Sequence, residues 1–196
     1  KVTYADDTTA AVPGANLSAA RYRIAATGNS THGYFGGGSP GPKSTMDKVT
    51  YSSDTTAAVP GANLILPTFP GGPASLDGLR NNLAAVGNST HGYFGGGVGF
   101  IGGDYSHVEK LTYSSETPTA VPGAFLSVGR QSLAATGNST HGYFGGGQPG
   151  PRSTMDKLTY SSDTTVAVPG ANLSVARFAL AASSARANAL PAEPTL

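Results

Sequence analysis

Residues 28–38 read Gly-Asn-Ser-Thr-His-Gly-Tyr-Phe-Gly-Gly-Gly, and the same block begins again at Gly87 and at Gly137. A second block, Lys-(Val/Leu)-Thr-Tyr followed by Val-Pro-Gly-Ala, occurs four times among the 196 residues. Its tyrosines are Tyr4, Tyr51, Tyr113 and Tyr160, with spacings of 47, 62 and 47 residues. A recurrence of this length indicates an array built from one supersecondary unit.

Composition narrows the classes of function. Only 12% of the residues are charged and the net charge is +1, so no basic or acidic surface is expected to recruit nucleic acid or an anionic membrane. There is no cysteine, which excludes disulfides and thiolate metal sites. No apolar run approaches the roughly 20 residues of a membrane span. The 28 glycines and 14 prolines fit a chain of many tight turns.

The third unit illustrates the predicted strands. Leu111, Tyr113 and Ser115 alternate with Lys110, Thr112 and Ser114, which is the period of a strand. Glu116-Thr117-Pro118 predicts a turn in which the acidic side chain accepts backbone N–H groups. Further strands are predicted at residues 120–121, 126–136 and 141–144, the last two joined by a turn at Gly137-Asn138. We therefore expect an all-β fold with four short strands per unit. The Asn-Ser-Thr triplets suit its turns because Asn tolerates positive φ.

The array is expected to span residues 1–182, with units starting at residues 1, 48, 110 and 157 and a C-terminal tail at 183–196. The second unit is longer, mainly within residues 65–78 and 98–109. Insertions in repeat arrays usually map to loops on one face, often the binding face. The predicted ligand-binding residues therefore lie in these segments, although loop filling is the alternative for each: Phe69, Asp77, Phe100, Asp104, Tyr105 and His107.

Three histidines occupy one repeat position, His32, His91 and His141. In a ring of units they could converge, and three imidazoles are a recognised zinc arrangement. Copying alone also places a histidine in every unit, so we favour the interpretation without a metal. No cofactor is indicated.

Arginines recur as Arg21, Arg80, Arg130 and Arg177, and tyrosines as Tyr34, Tyr93 and Tyr143. Four arginines around a channel could bind an anion. The favoured interpretation is structural, with each guanidinium donating to backbone carbonyl groups between units.

These motifs resemble the kelch repeat. A small-residue strand after Arg21, Arg80 and Arg130 leads to Gly-Tyr-Phe-Gly-Gly, similar to the double glycine of the second kelch strand, and Met-Asp-Lys-Leu-Thr-Tyr-Ser-Ser-Asp resembles the third strand with its turn. The chain departs from the family in having no tryptophan. The resemblance implies a β-propeller of about four blades, each of four short antiparallel strands, with the two ends pairing to close the ring. The alternative is an open segment of a larger propeller or β-solenoid.

The amino-acid sequence of the repeats is also similar to that of long repeat proteins of tailed phages, including those of marine cyanobacteria. This resemblance implies a virion or extracellular location and a non-enzymatic structural or host-attachment role. The expected partners are other virion proteins, copies of the protein itself or a host-surface glycan. Two alternatives remain: a self-assembling extracellular fibre or sheath, in which unpaired edge strands join copies, and a propeller enzyme with a metal at the channel mouth.

Overall fold

A hairpin formed by each Gly-Asn-Ser-Thr-His block is the basic element of the structure. The computed structural model describes residues 1–3, 5–41, 43–65, 78–100 and 102–183. In the first copy, the side-chain oxygen of Asn29 accepts the N–H groups of Thr31 and His32 at 2.9 Å and the Thr31 hydroxyl at 2.8 Å. Asn88 and Asn138 repeat these bonds. The turn therefore depends on the amide oxygen, and the expected positive φ at these asparagines is wrong.

The described residues form short strands, all paired antiparallel. In chain order they are β1 (Val2–Thr3), β2 (Thr8–Thr9), β3 (Ala25–Gly28), β4 (His32–Gly36), β5 (Met46–Thr50), β6 (Thr55–Ala58), β7 (Arg80–Asn81), β8 (Ala84–Gly87), β9 (His91–Gly95), β10 (Val98–Gly99), β11 (Val108–Thr112), β12 (Thr117–Ala120), β13 (Ala134–Gly137), β14 (His141–Gly145), β15 (Met155–Thr159) and β16 (Thr164–Ala167).

Three sheets of four strands follow one another along the chain. The first has the order β3-β4-β5-β6, the second β8-β9-β11-β12 and the third β13-β14-β15-β16. Each sheet takes its first two strands from the Gly-Asn-Ser-Thr-His hairpin and its outer two from the Lys-(Val/Leu)-Thr-Tyr block that follows. Two small pairs, β1-β2 and β7-β10, complete the ladders. The all-β prediction is confirmed.

Successive sheets pack face to face, and the alternation of side chains along the second strand explains its sequence. We call the side of a sheet that contacts the following sheet its forward face, and the opposite side its backward face. Tyr34 and Gly36 lie on the forward face of the first sheet: Tyr34 stacks on Tyr113 of the second sheet, and a Cβ on Gly36 would lie 3.1 Å from the Phe94 ring. Phe94 is therefore on a backward face. Gly92 shares that face and leaves room for the Tyr113 ring.

The same contacts join the second and third sheets. Tyr93 stacks on Tyr160, and the Phe144 ring packs over Gly95. Among the described residues, two apolar cores lie between the sheets, and Tyr34, Tyr93, Phe94 and Phe144 are each no more than 1% exposed. The repeated His-Gly-Tyr-Phe-Gly strand is thus an inter-sheet packing motif with a large and a small side chain on each face.

The sheets are close at their first strands and separated at their outer strands. Strand β8 lies beside both β3 and β13. At the outer side, a 3-10 turn of sequence Pro-Gly-Ala follows β2 and each fourth strand, and the first three of these turns each contact the fourth strand of the next sheet. These turns are Pro13–Ala15, Pro60–Ala62, Pro122–Ala124 and Pro169–Ala171. The turns act as wedges, so the array has a narrow inner side and a wider outer side.

The expected pairing of the two chain ends is not present among the described residues. Strand β1 pairs only with β2, and the hairpin they form lies against the first sheet, where Lys1 contacts Asp54. At the other end, Ala179 and Ser183 bond to Ser132 and Thr136 of the third sheet. These two described segments therefore belong to different parts of the array, and no sheet formed by the described residues closes a ring.

Two local predictions were also wrong. Pro118 lies within β12, pairing with Leu111, rather than in a turn. Proline is compatible with this place because β12 is an edge strand. The strand expected at 126–136 is shorter, since only Ala134–Gly137 is extended in the ladder. None of the helical segments in the described residues is long and apolar enough to cross a lipid bilayer.

Candidate functional site

A groove lies between the hairpin tips of each pair of successive sheets. The groove between the first and second sheets encloses about 600 Å³, and the groove between the second and third about 480 Å³. A third groove of about 500 Å³ lies on the backward side of the first sheet. The grooves share hydroxyl, imidazole and tyrosine side chains; those of the first include Thr31, His32, Ser89, Thr90, His91 and Tyr113.

The hydrogen bonds of the turn fix the tautomer of each histidine. The Thr31 hydroxyl lies 2.8 Å from Asn29 Oδ1 and 2.8 Å from His32 Nδ1. The amide oxygen can only accept, so the hydroxyl donates to it and must accept from Nδ1–H. Nε2 of the neutral imidazole is then the free acceptor. Thr90–His91 and Thr140–His141 have the same arrangement, so each groove carries equivalent hydrogen-bonding groups.

The surroundings of His91, which lines both inter-sheet grooves, favour the neutral form of its imidazole. Partial burial and then the nearby Lys110 lower the pKa of His91 below its ordinary value of 6.5, against a smaller opposing effect of Asp163. A neutral imidazole accepts a hydrogen bond from a hydroxyl group, and its charge does not select for anions.

The three repeated histidines do not converge on one point. His32 and His91 line one groove, and His91 and His141 line the next. Within the part of the chain that the structure describes, no group of three or more histidine, aspartate or glutamate residues has the geometry to hold a metal ion.

Three of the four repeated arginines, Arg21, Arg80 and Arg130, lie inside the sheets, away from the grooves. Arg130 is fully buried, and its guanidinium lies 2.9 Å from Asp156 and 3.0 Å from the carbonyl oxygen of Phe144. Burial lowers the pKa of Arg130, and the bond to Asp156 opposes that shift. Arg21–Asp47 and Arg80–Glu109 repeat the ion pair. These three guanidinium groups are engaged within their own sheets, which supports the structural interpretation over a channel for anions.

The acidic partners of these arginines were missed in the sequence. Asp47, Glu109 and Asp156 each directly precede the lysine of a Lys-(Val/Leu)-Thr-Tyr block, and this recurrence was the available signal. Arg177 differs from the other three, since its side chain is exposed and contacts no carboxylate among the described residues. Its backbone nevertheless pairs with Arg152, as the earlier arginines pair with the preceding unit.

In the second and third sheets, the acid of the outer turn connects two sheets instead of capping its own turn. Glu116, at φ +53°, receives the Lys48 ammonium at 2.5 Å and the Tyr34 hydroxyl at 3.2 Å, both from the preceding sheet. Asp163 receives Lys110 and Tyr93 in the same manner. The expected local Asx-type role of this acid is therefore wrong. The left-handed backbone directs the side chain to the neighbouring sheet.

Residues 98–109 of the second unit, which we call the inserted segment, contain four of the six predicted ligand-binding residues. Phe100 is 61% exposed. Tyr105 and His107 are partly buried, with ring centroids 5.5 Å apart, and His107 also lies 4.9 Å from Phe125. Asp104 forms a backbone bridge with Val98. Phe69 and Asp77 lie outside the described residues.

His107 occupies the place of a threonine in the other units. Thr45 and Thr154 accept hydrogen bonds from Arg21 and Arg130 through their hydroxyl groups. In the second unit, Arg80 donates instead to the His107 carbonyl oxygen, and His107 Nδ1 is buried without a partner in the described structure. Burial, followed by the charge of Arg80, lowers the pKa of His107. His107 therefore fills the interior of its loop, which supports the loop-filling alternative over a ligand-binding role for this residue.

The inserted segment and the grooves lie at opposite ends of the strands. Strand β9 runs from His91 at the hairpin tip to Gly95, where the chain enters the inserted segment. The two candidate surfaces can therefore be altered independently. In comparisons with known proteins, no protein-family model and no curated protein matches the chain.

Proposed function

We propose that the protein is a non-enzymatic binding scaffold that holds a glycan chain along its row of equivalent grooves. The observation that carries this proposal is the recurrence of one groove, with the same hydroxyl, imidazole and tyrosine groups, at each side of the first sheet and between the second and third. Threonine and serine hydroxyls both donate and accept, and neutral imidazole accepts, which matches the hydroxyl groups of a sugar.

Repetition favours a polymer over a small ligand. The grooves are open to solvent and enclose little of a bound sugar, so a single groove should bind weakly. A chain that enters several grooves at once converts later binding events into intramolecular ones, which raises avidity by about 10²- to 10⁴-fold when the spacing matches. A polysaccharide presents the same unit at regular intervals, as the grooves do.

The scaffold is proposed to be an arc of kelch-like propeller blades. The wedge-shaped spacing of the sheets, narrow at the first strands and wide at the 3-10 turns, supports a radial arrangement. We further propose a virion structural or host-attachment role, for which a rigid array that presents repeated sugar sites at a cell surface is suited. This role rests on the resemblance of the repeats to those of tailed-phage proteins.

Binding to a glycan array, followed by titration of a positive polysaccharide and its short oligosaccharides, tests the proposal. Replacing threonine and histidine at the middle position (Thr90→Ala, His91→Ala) alters both inter-sheet grooves at once, because both residues line each of them. We expect avidity for the polymer to fall about tenfold or more, and affinity for a short oligosaccharide to be weak throughout.

Phe100→Ala is the matched control at the opposite end of the strands. It removes an exposed aromatic ring from the inserted segment and leaves the grooves unchanged. If Phe100→Ala loses glycan binding while the groove variant keeps it, the glycan binds at the inserted segment and not in the grooves. If neither the intact protein nor the variants bind any glycan, the binding proposal fails.

A further inference from the structure

The contact between successive sheets follows one rule throughout the array. A lysine on the third strand, with a tyrosine on the second, donates to the turn acid of the next sheet. The rule extends to the N-terminal hairpin, where the ammonium of Lys1, the counterpart of Lys48, lies 2.8 Å from Asp54 of the first sheet. Among the described residues, the lysine–acid part of the contact therefore occurs three times, and the tyrosine takes part in two of them.

Among the described residues, each end of the array carries one half of this contact without the other half. At the forward end, Tyr143 and Lys157 of the third sheet are equivalent to Tyr93 and Lys110, yet neither bonds to a turn acid within the described residues. At the backward end, Asp7 is exposed, at φ +53°, the conformation of the other turn acids. Asp7 likewise has no lysine or tyrosine partner among the described side chains.

A row of backbone hydrogen bonds gives a second, independent match between the ends. The N–H of Asn82 donates to Arg23 at 3.0 Å, that of Ser132 to Asn82 at 2.8 Å, and that of Ala179 to Ser132 at 2.9 Å. All four residues have positive φ, from 52° to 59°. The row leaves the carbonyl oxygen of Ala179 facing the forward end and the N–H of Arg23 facing the backward end, so a second copy would continue it.

We propose that copies of this chain associate head to tail, with Asp7 of one copy receiving Lys157 and Tyr143 of the next. In the joint, residues 177–183 of one copy take the place of a first strand, and the β1-β2 hairpin of the other takes the place of the third and fourth. The described residues of neither copy fill the second-strand position. The association is heterologous, so it extends into a filament or closes into a ring of several copies.

Charge exchange provides the principal test, measured by sedimentation velocity over a concentration series. Asp7→Lys places lysine against Lys157, and Lys157→Asp places aspartate against Asp7, so each variant alone should self-associate about tenfold more weakly than the unaltered chain. Mixing the two variants should restore association, because both joints then pair opposite charges. Lys43→Asp is the control for the loss of a lysine at another surface position.

A cysteine pair separates association from closure within one chain. The chain has no native cysteine, so the double variant Asp7→Cys, Lys157→Cys reports only this contact. Oxidation should give a ladder of covalent oligomers that disappears on reduction. Covalent monomers, or a mixture of charge variants that stays monomeric at every concentration, would overturn the proposal.

Discussion

The ring of Tyr34 in the first sheet stacks on that of Tyr113 in the second, with centroids 5.0 Å apart and planes inclined by 6°. Tyr113 is in turn supported by Gly92 of its own sheet, so its ring is enclosed on both sides. Tyr51 holds the same repeat position in the first sheet but is 45% exposed and has no such stack among the described residues. The tyrosine at this repeat position is therefore buried between two sheets as Tyr113 and exposed on the first sheet as Tyr51.

This pair of positions gives a matched stability test. Tyr113→Ala removes a buried ring and its stack, and we expect it to lower the free energy of unfolding by about 3 kcal/mol. Tyr51→Ala should lower it by less than about 1 kcal/mol because less of the ring leaves water on folding. Urea unfolding followed by circular dichroism measures both. Equal losses would show that the stack adds nothing to the interface.

The buried arginines should be sensitive to loss of their acids. Asp156→Asn leaves the buried Arg130 charge without a counter-charge, and we expect a loss of about 4 kcal/mol in unfolding free energy. The double variant Arg130→Met, Asp156→Leu should recover much of that loss, since no charge then remains buried. Arg177→Met is the control, with an expected change of less than about 0.5 kcal/mol. An Asp156→Asn variant with the same free energy of unfolding as the unaltered protein would contradict the assigned ion pair.

Glycine on the second strand should be required only where a rigid neighbour faces it. A Cβ at Gly95 would lie 2.9 Å from the Phe144 ring, whereas one at Gly145 would lie 2.7 Å from the flexible end of Met155. We expect Gly95→Ala to cost about 2 kcal/mol in unfolding free energy and Gly145→Ala less. Gly170→Ala, with no heavy atom within 4 Å, is the control. Thermal unfolding should rank the three variants in this order.

The lowered pKa of His107 predicts that the free energy of unfolding decreases in mild acid. Its folded-state pKa is below the ordinary 6.5, so the unfolded chain takes up the proton first. The stabilising contribution is therefore complete above pH 6.5 and is lost as pH falls through the folded-state pKa. His107→Thr, which installs the residue of the other two units, should make the unfolding midpoint vary less between pH 7.5 and 5.0. An unchanged pH profile would contradict this assignment.

The fold class and the repeated unit could be predicted from the sequence because their signals are local. Alternation over 110–115 and the glycine-rich hairpin blocks identify strands and turns within a few residues of one another. The extent of the strands was less accessible: Pro118 fits β12 only because that strand lies at a sheet edge, which a single stretch of sequence does not reveal.

The contacts between units were harder to predict because they join residues far apart in the chain. Glu116 resembles a local turn residue, yet its partners Tyr34 and Lys48 are 82 and 68 positions away. The prediction that the chain ends pair to close a ring was wrong for a related reason. Closure depends on the small rotation between neighbouring sheets, and no sequence motif encodes that rotation. The grooves were missed because each is assembled from two hairpin tips, and their shared Thr-His pair was visible only as a copied motif.

The row of hydrogen bonds through Arg23, Asn82, Ser132 and Ala179 also has a consequence for amide exchange. An amide in this row exchanges with deuterium only when the junction between two neighbouring units opens. Asn82 and Ser132 lie at internal junctions and should exchange slowly, whereas Ala179 should exchange through fraying of the last segment. Protection should therefore rise from the ends of the array to its middle, and Ala179 should gain protection if a second copy covers it.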